Sequence, residues 1–572
     1  MTGHTASSAL LEAMQEAGVS YIFANFGSDH PALVEAIAAA AATGTKLPEV
    51  VTCPYEMVAL SAAQGYAQVS GEAQAVIVHV DCGTQSLAGA IHNVARARVP
   101  VLIFAGLSPA TQEGEAFGSR NEFIHWLQDV PDQRGIVRQY VKYDHEIRAA
   151  ANTRQIVHRS FQIAGSDPRG PVYLVAAREV LCAEAPPVVI DPAEWRPVAA
   201  SPLPDDAVTM LAERLASAHR PVIVTSYLGR NTDAVGELTR LCQRLGIGVL
   251  ESAPGYVNYP HHDALYQGNY WNQPVQNPAL AEADVVLVID SDIPWVPAMN
   301  RPAETAAVFH IDVDPLKPTM PLWYIKARAS FAADSLTALR QLNARLDGLS
   351  IDEETVRRRR DHYGRRHAER ATRLALAEKP DSAVITPEYL TACVRAQIDD
   401  DTIVLNEGIT NYHTIFDHLG RSEPGTMFTS GGSSLGWNGG AAIGARLAAP
   451  DRTVVSMTGD GSYMFSVPST VHWMARRYKT PFLQIVFNNR GWKAPKFSTL
   501  AVHPDGHASR ADDIGVSFDP PADYSGIAAA AGGAFARKIE RPGEVEDAIA
   551  AGLRAVREEG RAAVLDVWLP TL

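Results

Sequence analysis

The stretches TGDGSYMFSV (Thr458–Val467) and PFLQIVFNNRGW (Pro481–Trp492) decide how this chain folds. In the first, Gly-Asp-Gly follows the apolar run Val454–Met457, and in the second a pair of asparagines follows the apolar run Phe482–Phe487. Glycine, aspartate and asparagine are disfavoured inside strands and common in the turns that end them. The pattern therefore predicts two buried strands, each ending in a polar turn, with a helix over Ser469–Tyr478 between them.

The two polar turns have the chemistry of a combined anion and cation site. Ligands of doubly wound sheets bind beyond the carboxyl ends of the strands, where both turns are expected. A carboxylate and an amide oxygen that meet there form an oxygen-only site, which suits Mg²⁺ better than zinc. Glycine lets the backbone approach an anion, and the start of the next helix offers free amides to phosphate. Gly-Asp-Gly alone is common in ordinary turns, but the two turns together predict a diphosphate clamp bridged by magnesium.

Length and composition indicate a large globular protein. The chain has 572 residues, and domains of roughly 100–200 residues suggest three or four units. Hydrophobic residues make up 46% and charged residues 20% of the chain, which excludes a disordered or fibrous protein. The net charge of −14 disfavours a nucleic-acid partner, because binding phosphates requires a basic face.

The cysteines and the N-terminus bear on the compartment. Five cysteines are scattered without a CxxC pair or metal-like spacing, so we expect buried thiols in a reducing cytoplasm. The first residues lack a basic region, and the chain has no uninterrupted run of about 18 apolar residues. We therefore expect no export signal, no membrane contact and a cytoplasmic location.

Short β-branched runs alternate with helical stretches in three blocks along the chain. This alternation predicts an α/β fold of three doubly wound parallel-sheet domains. The predicted domains cover residues 1–182, 206–345 and 384–572, and a proline-rich connector joins the first two. A charged stretch that contains Arg357–Arg360 joins the second and third, and we interpret it as a solvated linker helix rather than an anion site.

The Gly-Asp-Gly turn followed by Asn-Asn resembles the thiamine diphosphate signature of the superfamily that contains pyruvate oxidase, acetolactate synthase and benzoylformate decarboxylase. The resemblance covers nearly the whole chain and implies pyrimidine-binding, middle and diphosphate-binding domains, with thiamine diphosphate and Mg²⁺ as cofactors. It also implies metal and diphosphate ligands. Mg²⁺ would be bound by Asp460, Asn489 and the carbonyl of Gly491, and the diphosphate would be held by Gly459, Gly461 and Ser462.

Glu56 lies in the stretch CPYEMVALSAAQGYAQVSG. By itself it could be a capping or surface carboxylate. The resembling families place a glutamate before A-x-G-Y-A, here Ala63–Ala67, where it hydrogen-bonds the aminopyrimidine ring and promotes deprotonation of the thiazolium. Sharing a proton in this way requires a raised pKa, which desolvation by Met57, Val58 and Leu60 would supply.

Two further stretches correspond to cofactor contacts in the resembling families. SGGSSLGWNGGAAIGA (Ser430–Ala445) is by itself a glycine-rich turn that enters a helix. The families place a bulky apolar residue before G-F or G-W, where it wedges the cofactor into a bent shape. Leu435 matches that wedge, and the carbonyl of Ser433 is expected to accept a hydrogen bond from the cofactor amine. In NEGITNYHT, Thr410 aligns with a diphosphate contact, whereas Ile409 replaces a commoner hydroxyl residue.

The N-terminal domain carries the candidate substrate residues. FGSDHPALVEA resembles the F-G-x-P-G-S/N turn of benzoylformate decarboxylase, which places Ser28 near a substrate carboxylate or carbonyl. VHVDCGT matches its L-H-S-x-x-G-T, so His79 is a candidate proton shuttle, with a structural histidine as the alternative. The chain departs from this relative at IDSDIPWVPAMN, which has no histidine where the relative has a catalytic one. It also lacks the G-P-G and Q-H-x-G-M-V signatures of acetolactate synthase.

The segment after the asparagines is basic. Trp492 and Lys493 follow the last predicted metal ligand, so Trp492 is expected at the cofactor and Lys493 is expected to point toward the thiazolium. Lys493 falls where oxalyl-CoA decarboxylase and 2-hydroxyacyl-CoA lyase carry the tyrosine of N-N-N-G-I-Y. A basic lip suited to an anionic or CoA-bearing substrate would comprise Lys493, Lys496, His503, His507 and Arg510. A solvated loop is the alternative for all of these except Lys493.

The resemblance implies a thiamine diphosphate-dependent, non-oxidative carbon–carbon lyase similar to 2-hydroxyacyl-CoA lyase. The alternatives are a 2-oxo acid decarboxylase of the benzoylformate decarboxylase type and a carboligase similar to acetolactate synthase, with FAD in its middle domain. A scaffold without catalytic activity is a further alternative. In this superfamily the glutamate and the diphosphate site belong to different subunits, so a homodimer or homotetramer with active sites between subunits is expected.

Overall fold

The apolar, β-branched runs of the sequence form the strands of three parallel sheets. A computed structural model of the chain describes residues 4–381, 383–511 and 513–571. Within these ranges lie three six-stranded sheets, in which every pair of neighbouring strands is parallel. The predicted α/β fold with three doubly wound domains is therefore confirmed.

The first sheet has the strand order β2-β1-β3-β4-β6-β5. Its strands are β1 (Tyr21–Ala24), β2 (Glu49–Thr52), β3 (Gln74–Val78), β4 (Val101–Leu107), β5 (Tyr143–Ile147) and β6 (Val172–Ala177). The helices around it are α1 (Ala6–Glu16), α2 (Pro31–Thr43), α3 (Glu56–Ser70), α4 (Val80–Ser86), α5 (Ala88–Arg96), α6 (Ile124–Leu127), α7 (Thr153–Gly165) and α8 (Arg178–Cys182). Because β1 pairs with β3, the segments that carry Ser28 and His79 leave the sheet side by side.

The second sheet has the order β12-β11-β10-β7-β8-β9. Its strands are β7 (Pro221–Thr225), β8 (Gly248–Ser252), β9 (Tyr266–Tyr270), β10 (Val285–Ile289), β11 (Ala307–Asp312) and β12 (Ala329–Ala332). The helices are α9 (Asp205–Ser217), α10 (Thr232–Leu245), α11 (Pro278–Ala281) and α12 (Ser335–Leu346). The strand order reverses between β7 and β10, which is where such a sheet holds a ligand.

At this reversal charged side chains of the middle domain and of the first domain pack together. Lys317 is buried and donates hydrogen bonds to Asp312 (2.6 Å) and to the hydroxyl of Tyr227 (2.9 Å). Arg98, from the first domain, forms an ion pair of 2.7 Å with Asp292. At the strand-order reversal, these side chains thus form a polar contact between the first and middle domains.

The third sheet has the order β14-β13-β15-β16-β18-β17. Its strands are β13 (Ile403–Glu407), β14 (Met427–Phe428), β15 (Val454–Gly459), β16 (Leu483–Asn488), β17 (Phe535–Ile539) and β18 (Ala563–Trp568). The helices are α14 (Pro387–Arg395), α15 (Tyr412–Leu419), α16 (Trp437–Ala448), α17 (Asp460–Phe465), α18 (Pro468–Arg477), α19 (Lys493–Val502), α20 (Tyr524–Gly532) and α21 (Val545–Arg557), while α13 (Glu353–Ala377) links the middle and third domains. Gly459 pairs with Phe487, so the Gly-Asp-Gly and Asn-Asn turns lie at neighbouring strand ends, as predicted.

The linker helix α13 differs in one respect from the solvated helix that we predicted. Arg359 is buried, and its guanidinium donates hydrogen bonds to the carbonyls of Leu245 (2.8 Å) and Ala216 (2.8 Å). Carbonyls at helix ends lack partners within the helix, so a cation there satisfies them. One arginine of the charged run thus anchors α13 to the middle domain.

The cysteines are not all buried, contrary to expectation. Within the described ranges Cys53, Cys182, Cys242 and Cys393 are buried free thiols, whereas Cys82 is exposed on α4. None of the helices described in the structure has the length and apolar character that crossing a membrane requires.

The first and third domains meet where α3 lies against α16. Glycines make the approach close, because a Cβ at Gly444 would overlap the carbonyl of Ala62 and a Cβ at Gly65 would overlap the backbone of Ala441. On α16, Gly440 lies so near α3 that its Cβ would stand 2.7 Å from the Cβ of Ser61. The two helices therefore pack backbone against backbone.

We expect Gly444→Ala to lower the free energy of unfolding by about 1–3 kcal/mol, because the new methyl group cannot fit against Ala62 without moving a helix. Urea unfolding followed by far-UV circular dichroism measures the change. Gly236→Ala is the matched control, because this exposed glycine of α10 has nothing within 4 Å of the added atom. An equal effect of both substitutions would contradict the close helix contact.

Candidate active site

Asp460 joins the two polar turns at the edge of the third sheet. It is the first residue of α17, and its carboxylate accepts hydrogen bonds from the amide of Gly461 (2.8 Å) and from that of Gly491 (3.1 Å). The two asparagines have different roles. Asn488 has a structural role, because its side chain donates a hydrogen bond of 2.8 Å to Asp566 on β18. Asn489 is buried and, together with Gly491 and Trp492, lines a cavity at this edge of the sheet.

The residues at this edge fit a divalent cation. Asp460 is buried, burial raises its pKa to about 6, and no described arginine or lysine forms an ion pair with it. A buried carboxylate without a cationic partner is unfavourable, and a metal ion would remove that penalty. No cluster of three or more His, Cys, Asp or Glu side chains suited to a metal occurs in the described ranges. The available donors are one carboxylate, one amide and backbone carbonyls, which is a set of hard oxygen ligands.

Ser462 and the glycines of the turn fit a diphosphate. The Ser462 hydroxyl is buried and has no hydrogen-bond partner among the described residues, as expected of a group that binds a ligand. Gly461 lies under the ring of Trp492, since a Cβ at Gly461 would overlap that ring. Trp492 in turn packs edge-on against Phe465 and Phe518, with ring centroids 5.8 and 4.9 Å away. The indole therefore covers the Gly-Asp-Gly turn.

Thr410 is half-buried in the short 3-10 helix after β13. The preceding Ile409 has φ of +52°, a left-handed conformation that a β-branched residue adopts only under strain. Ile409, which stands where the resembling families more often have a hydroxyl residue, is therefore also strained. Strain of this kind is frequent at ligand sites.

Ser433 and Leu435 lie in the turn before α16. We name residues 430–436 the cofactor loop. Ser433 is exposed and Leu435 is half-buried, so both are available to a ligand. A residue that the sequence analysis missed supports this loop. Glu407, at the end of β13, is buried and accepts hydrogen bonds from the amides of Gly436 (2.9 Å) and Asn438 (2.9 Å), while burial raises its pKa to about 7. Its position in NEGIT, directly before a turn, was the available signal.

Glu56 is the first residue of α3 and is buried. Its carboxylate accepts a hydrogen bond of 2.7 Å from the side chain of Asn25, at the end of β1, and lies over Gly83 of α4. These neighbours all belong to the first domain, and no hydrogen bond or ion pair with a described residue joins Glu56 to the third domain.

Half-buried His79 forms an ion pair with buried Asp29, a partner that the sequence did not reveal. Its Nδ1 lies 2.5 Å from Oδ1 of Asp29, and its Nε2 lies 2.9 Å from Oε1 of Gln128. The imidazole lies against Gly27, where any Cβ would overlap the ring. Two oxygen acceptors on the two ring nitrogens are the arrangement that a protonated imidazole requires.

The charges of this pair are consistent with the geometry. Burial lowers the pKa of His79, but the hydrogen bond and charge of Asp29 outweigh it, so the net shift is upward. For Asp29 the signs are reversed: burial raises its pKa, but His30, His79 and the amide of Val80 outweigh burial and lower the pKa below its usual value. His79 therefore holds its proton to a higher pH than a free histidine.

Ser28 is next to the ion pair. Its hydroxyl lies 3.2 Å from Nε2 of His125, and its carbonyl accepts a hydrogen bond of 3.1 Å from the buried Arg178. Arg178 also donates to Asn121 (2.9 Å). Ser28 is half-buried, so its hydroxyl can meet a substrate while its backbone is fixed.

The basic segment after Trp492 is helical rather than a loop. Lys493 begins α19, and its ammonium group donates to the carbonyl of Pro570 (3.4 Å). Burial lowers the pKa of Lys493, with Asp460 and Glu388 acting in the opposite direction. A cavity of about 220 Å³ beside Trp492 is lined by residues that include Arg490, Lys493 and Lys496. His503, His507 and Arg510 are exposed further along.

Three family models match this chain. The N-terminal thiamine pyrophosphate-binding domain matches residues 4–136, the central domain of thiamine pyrophosphate enzymes matches residues 208–341, and the C-terminal thiamine pyrophosphate-binding domain matches residues 408–567. The chain therefore belongs to the thiamine diphosphate-dependent enzyme superfamily.

Three relatives resemble the chain over most of its length. Benzoylformate decarboxylase of Pseudomonas aeruginosa is 25% identical over 88% of this chain and 89% of its own length. Sulfoacetaldehyde acetyltransferase of Castellaniella defragrans is 25% identical over 86% of this chain and 82% of its own. The acetolactate synthase large subunit of Lactococcus lactis is 23% identical over 80% of this chain and 76% of its own.

Solved structures share the fold. The 4-hydroxybenzoylformate decarboxylase of Rhodococcus jostii RHA1 superposes with a TM-score of 0.77 at 22% identity, over 99% of each chain. Benzoylformate decarboxylase from Polynucleobacter necessarius superposes with a TM-score of 0.80 at 18% identity, over the full length of both chains.

We expect Asp29→Asn to lower the pKa of His79, because burial would then act on the imidazole without a carboxylate to oppose it. NMR titration with isotopically labelled histidine, assigned with His79→Gln, measures the shift. Asp132→Asn is the control, since it removes an exposed carboxylate of the same domain that pairs with Arg138. An unchanged titration of His79 in Asp29→Asn would show that the pair does not hold the proton.

Proposed function

We propose that the protein is a thiamine diphosphate- and Mg²⁺-dependent decarboxylase of 2-oxo acids. The observation that supports this most directly is the Asp29–His79 ion pair next to Ser28. Decarboxylation releases the carboxylate as CO₂ and adds one proton at the former carbonyl carbon, so it needs a group that is protonated near neutral pH. His79, charged by Asp29, is that group, and the Ser28 hydroxyl offers a donor to the substrate carboxylate.

The relatives support the same choice. Benzoylformate decarboxylase and 4-hydroxybenzoylformate decarboxylase are named for decarboxylation of a 2-oxo acid, as is the probable 2-ketoarginine decarboxylase of Pseudomonas aeruginosa, which is 24% identical over 85% of this chain. Their substrates differ in the side chain and share the 2-oxo carboxylate. We assign that shared group to the neighbourhood of Ser28 and His79.

The third domain would hold the cofactor by its diphosphate. Asp460, Asn489 and the carbonyl of Gly491 would bind Mg²⁺, and the unpartnered hydroxyl of Ser462 would bind the diphosphate. Gly459, Gly461, Thr410 and Trp492 would line the same cradle. When bound, thiamine diphosphate supplies a nucleophilic carbanion and a cationic ring that accepts the electron pair of the broken bond.

The protein residues would then divide the remaining tasks. Glu56 would hydrogen-bond the pyrimidine ring through its buried carboxyl group, and the Ser433 carbonyl would orient the amine. Leu435 would supply the apolar wedge. His79 would deliver its proton from Nε2, after that atom leaves Gln128, while Asp29 keeps the ring oriented through Nδ1.

A lyase acting on 2-hydroxyacyl-CoA is the second candidate. The basic lip favours it, because Lys493, Lys496 and Arg490 line the cavity beside Trp492, and His503 and Arg510 are exposed on the following segment. Such cations could bind the phosphates of CoA. Asp513 and Asp519 line the same cavity and reduce its positive potential, which is why we place this candidate second.

We further propose that the active enzyme is a homodimer, or a homotetramer of two such dimers. Among the described residues, Glu56 is hydrogen-bonded within the first domain alone, whereas Asp460 belongs to the third. Large apolar side chains are exposed in the segments of both half-sites: Phe123 (76%), shortly before Gln128 in the chain, and Phe465 (51%), at the end of the helix that Asp460 begins. Exposed apolar patches of this kind mark interaction surfaces, and the partner's third domain would cover the first.

We expect the purified protein, supplied with thiamine diphosphate and Mg²⁺, to convert an aromatic or branched 2-oxo acid into CO₂ and the aldehyde. A panel of such acids and of 2-hydroxyacyl-CoA thioesters, analysed for CO₂, aldehyde and acyl-CoA, measures this. Cleavage of a CoA thioester alone would establish the second candidate, and acetolactate from pyruvate would establish a carboligase. Turnover of none of these compounds would contradict the proposal.

Two substitutions should separate activation from binding of the cofactor. We expect Glu56→Gln to lose about 100-fold or more in turnover, because it removes the proton-sharing carboxylate while leaving the diphosphate cradle intact. We expect Asp460→Ala to abolish Mg²⁺-dependent binding of thiamine diphosphate, measured by calorimetry. Full turnover by Glu56→Gln, or undiminished cofactor affinity in Asp460→Ala, would refute the role given to that residue.

A further inference from the structure

The cofactor loop is bound by a side chain from another domain of the same chain. Asn93, on α5 of the first domain, is fully buried. Its side-chain oxygen accepts a hydrogen bond of 2.9 Å from the amide of Ser434, and its side-chain nitrogen donates one of 2.8 Å to the carbonyl of the same residue. Both backbone groups of the residue between Ser433 and Leu435 are therefore held by one amide.

The backbone at this point is strained. Ser433 has φ of +59°, a left-handed conformation that costs a non-glycine residue free energy and persists where the surroundings enforce it. Its amide donates to the hydroxyl of Ser430 (3.0 Å), and the next peptide group is fixed by Asn93. These contacts determine where the Ser433 carbonyl points.

The fit between α5 and the loop is close. A Cβ at Gly89 would overlap the hydroxyl of Ser434, and a Cβ at Gly432 would stand 2.7 Å from the side-chain oxygen of Asn93. His92 adds a hydrogen bond of 3.1 Å to the carbonyl of Gly432. Both sides thus use glycine to allow the Asn93 amide to reach the backbone.

The opposite end of the loop is held from within the third domain. Glu407 binds the amides of Gly436 and Asn438, so the loop is fixed at its start and middle by the first domain and at its end by β13. Asn93 makes no hydrogen bond to Asp460, Ser462 or Asn489 in the described structure. The metal and diphosphate residues therefore do not depend directly on it.

We propose that Asn93 is a positioning residue for the cofactor: from the first domain it sets the Ser433 carbonyl and the Leu435 side chain that orient the pyrimidine and thiazolium rings. This inference rests on the proposed cofactor site. It implies that the ring-orienting half of the site and the diphosphate-binding half are built separately. Loss of Asn93 should disturb the first half and leave the second intact.

Calorimetry on the full-length protein with two probes tests this separation. In the wild type, thiamine diphosphate with Mg²⁺ and inorganic diphosphate with Mg²⁺ should both bind. We expect Asn93→Ala to weaken thiamine diphosphate by about 10- to 100-fold, the effect of losing two buried hydrogen bonds, and to leave inorganic diphosphate unchanged. At saturating cofactor, the Asn93→Ala enzyme should also show a lower kcat with an unchanged KM for substrate.

Matched variants keep the test sharp. Asn93→Asp retains the acceptor for the amide of Ser434 but places an oxygen against its carbonyl, so it should fold and show a loss of the same kind. Gln68→Ala removes a hydrogen bond of 3.0 Å from the first domain to the carbonyl of Thr429, just outside the loop, and should leave both affinities unchanged.

The outcomes distinguish this inference from the proposed function. If the wild type binds inorganic diphosphate but not thiamine diphosphate, the proposed function fails. If the wild type binds both probes, and both Asn93 variants bind each probe with the same affinity as the wild type, the positioning role is overturned. A parallel loss of both probes in the Asn93 variants would also overturn it, because Asn93 would then support the whole domain rather than the loop.

Discussion

The structure of the site depends on the carboxylate of Asp460, which holds two separate turns together. It accepts the amide of its own turn and that of Gly491, 31 residues further along the chain. Because β15 and β16 are neighbouring parallel strands, their ends already lie side by side. The hydrogen bonds of Asp460 therefore hold the backbone of the Asn-Asn turn against the start of α17. The same carboxylate is buried and forms no ion pair with any described cation, so the arrangement that fixes the turns also favours binding of a metal ion.

The first domain has the opposite electrostatic character at its site. There the buried carboxylate of Asp29 has a cationic partner, His79, and the pair is complete without a ligand. Such a pair keeps a proton available at a defined nitrogen, whereas the third domain offers oxygen ligands to a cation. The first domain thus has the groups to hold a proton, and the third domain has the groups to bind a cation and an anion.

The sequence predicted the elements that depend on local pattern. The fold class and the positions of the two turns followed from β-branched runs and from residues that end strands, and both are confirmed. Asp29 and Asn93 were missed because their partners His79 and Ser434 lie 50 and 341 residues away, and no pattern in the sequence pairs these stretches. Glu407 was missed although it stands directly before a turn, because that position does not indicate a partner 29 residues further along. The prediction that Cys82 is buried was wrong for a similar reason. The side of α4 that faces solvent depends on how the helix packs, and its composition does not reveal this.

The contact between α3 and α16 constrains how this architecture can be recombined. The helices touch through Gly65, Gly440 and Gly444, so their separation is set by backbone atoms that no rotamer change can adjust. In a chimera that joined this first domain to the third domain of a distant relative, the helix that replaces α16 would need glycine at the positions of Gly440 and Gly444. Exchange of the two helices as one cassette would preserve the fit, and exchange of either alone would separate the domains.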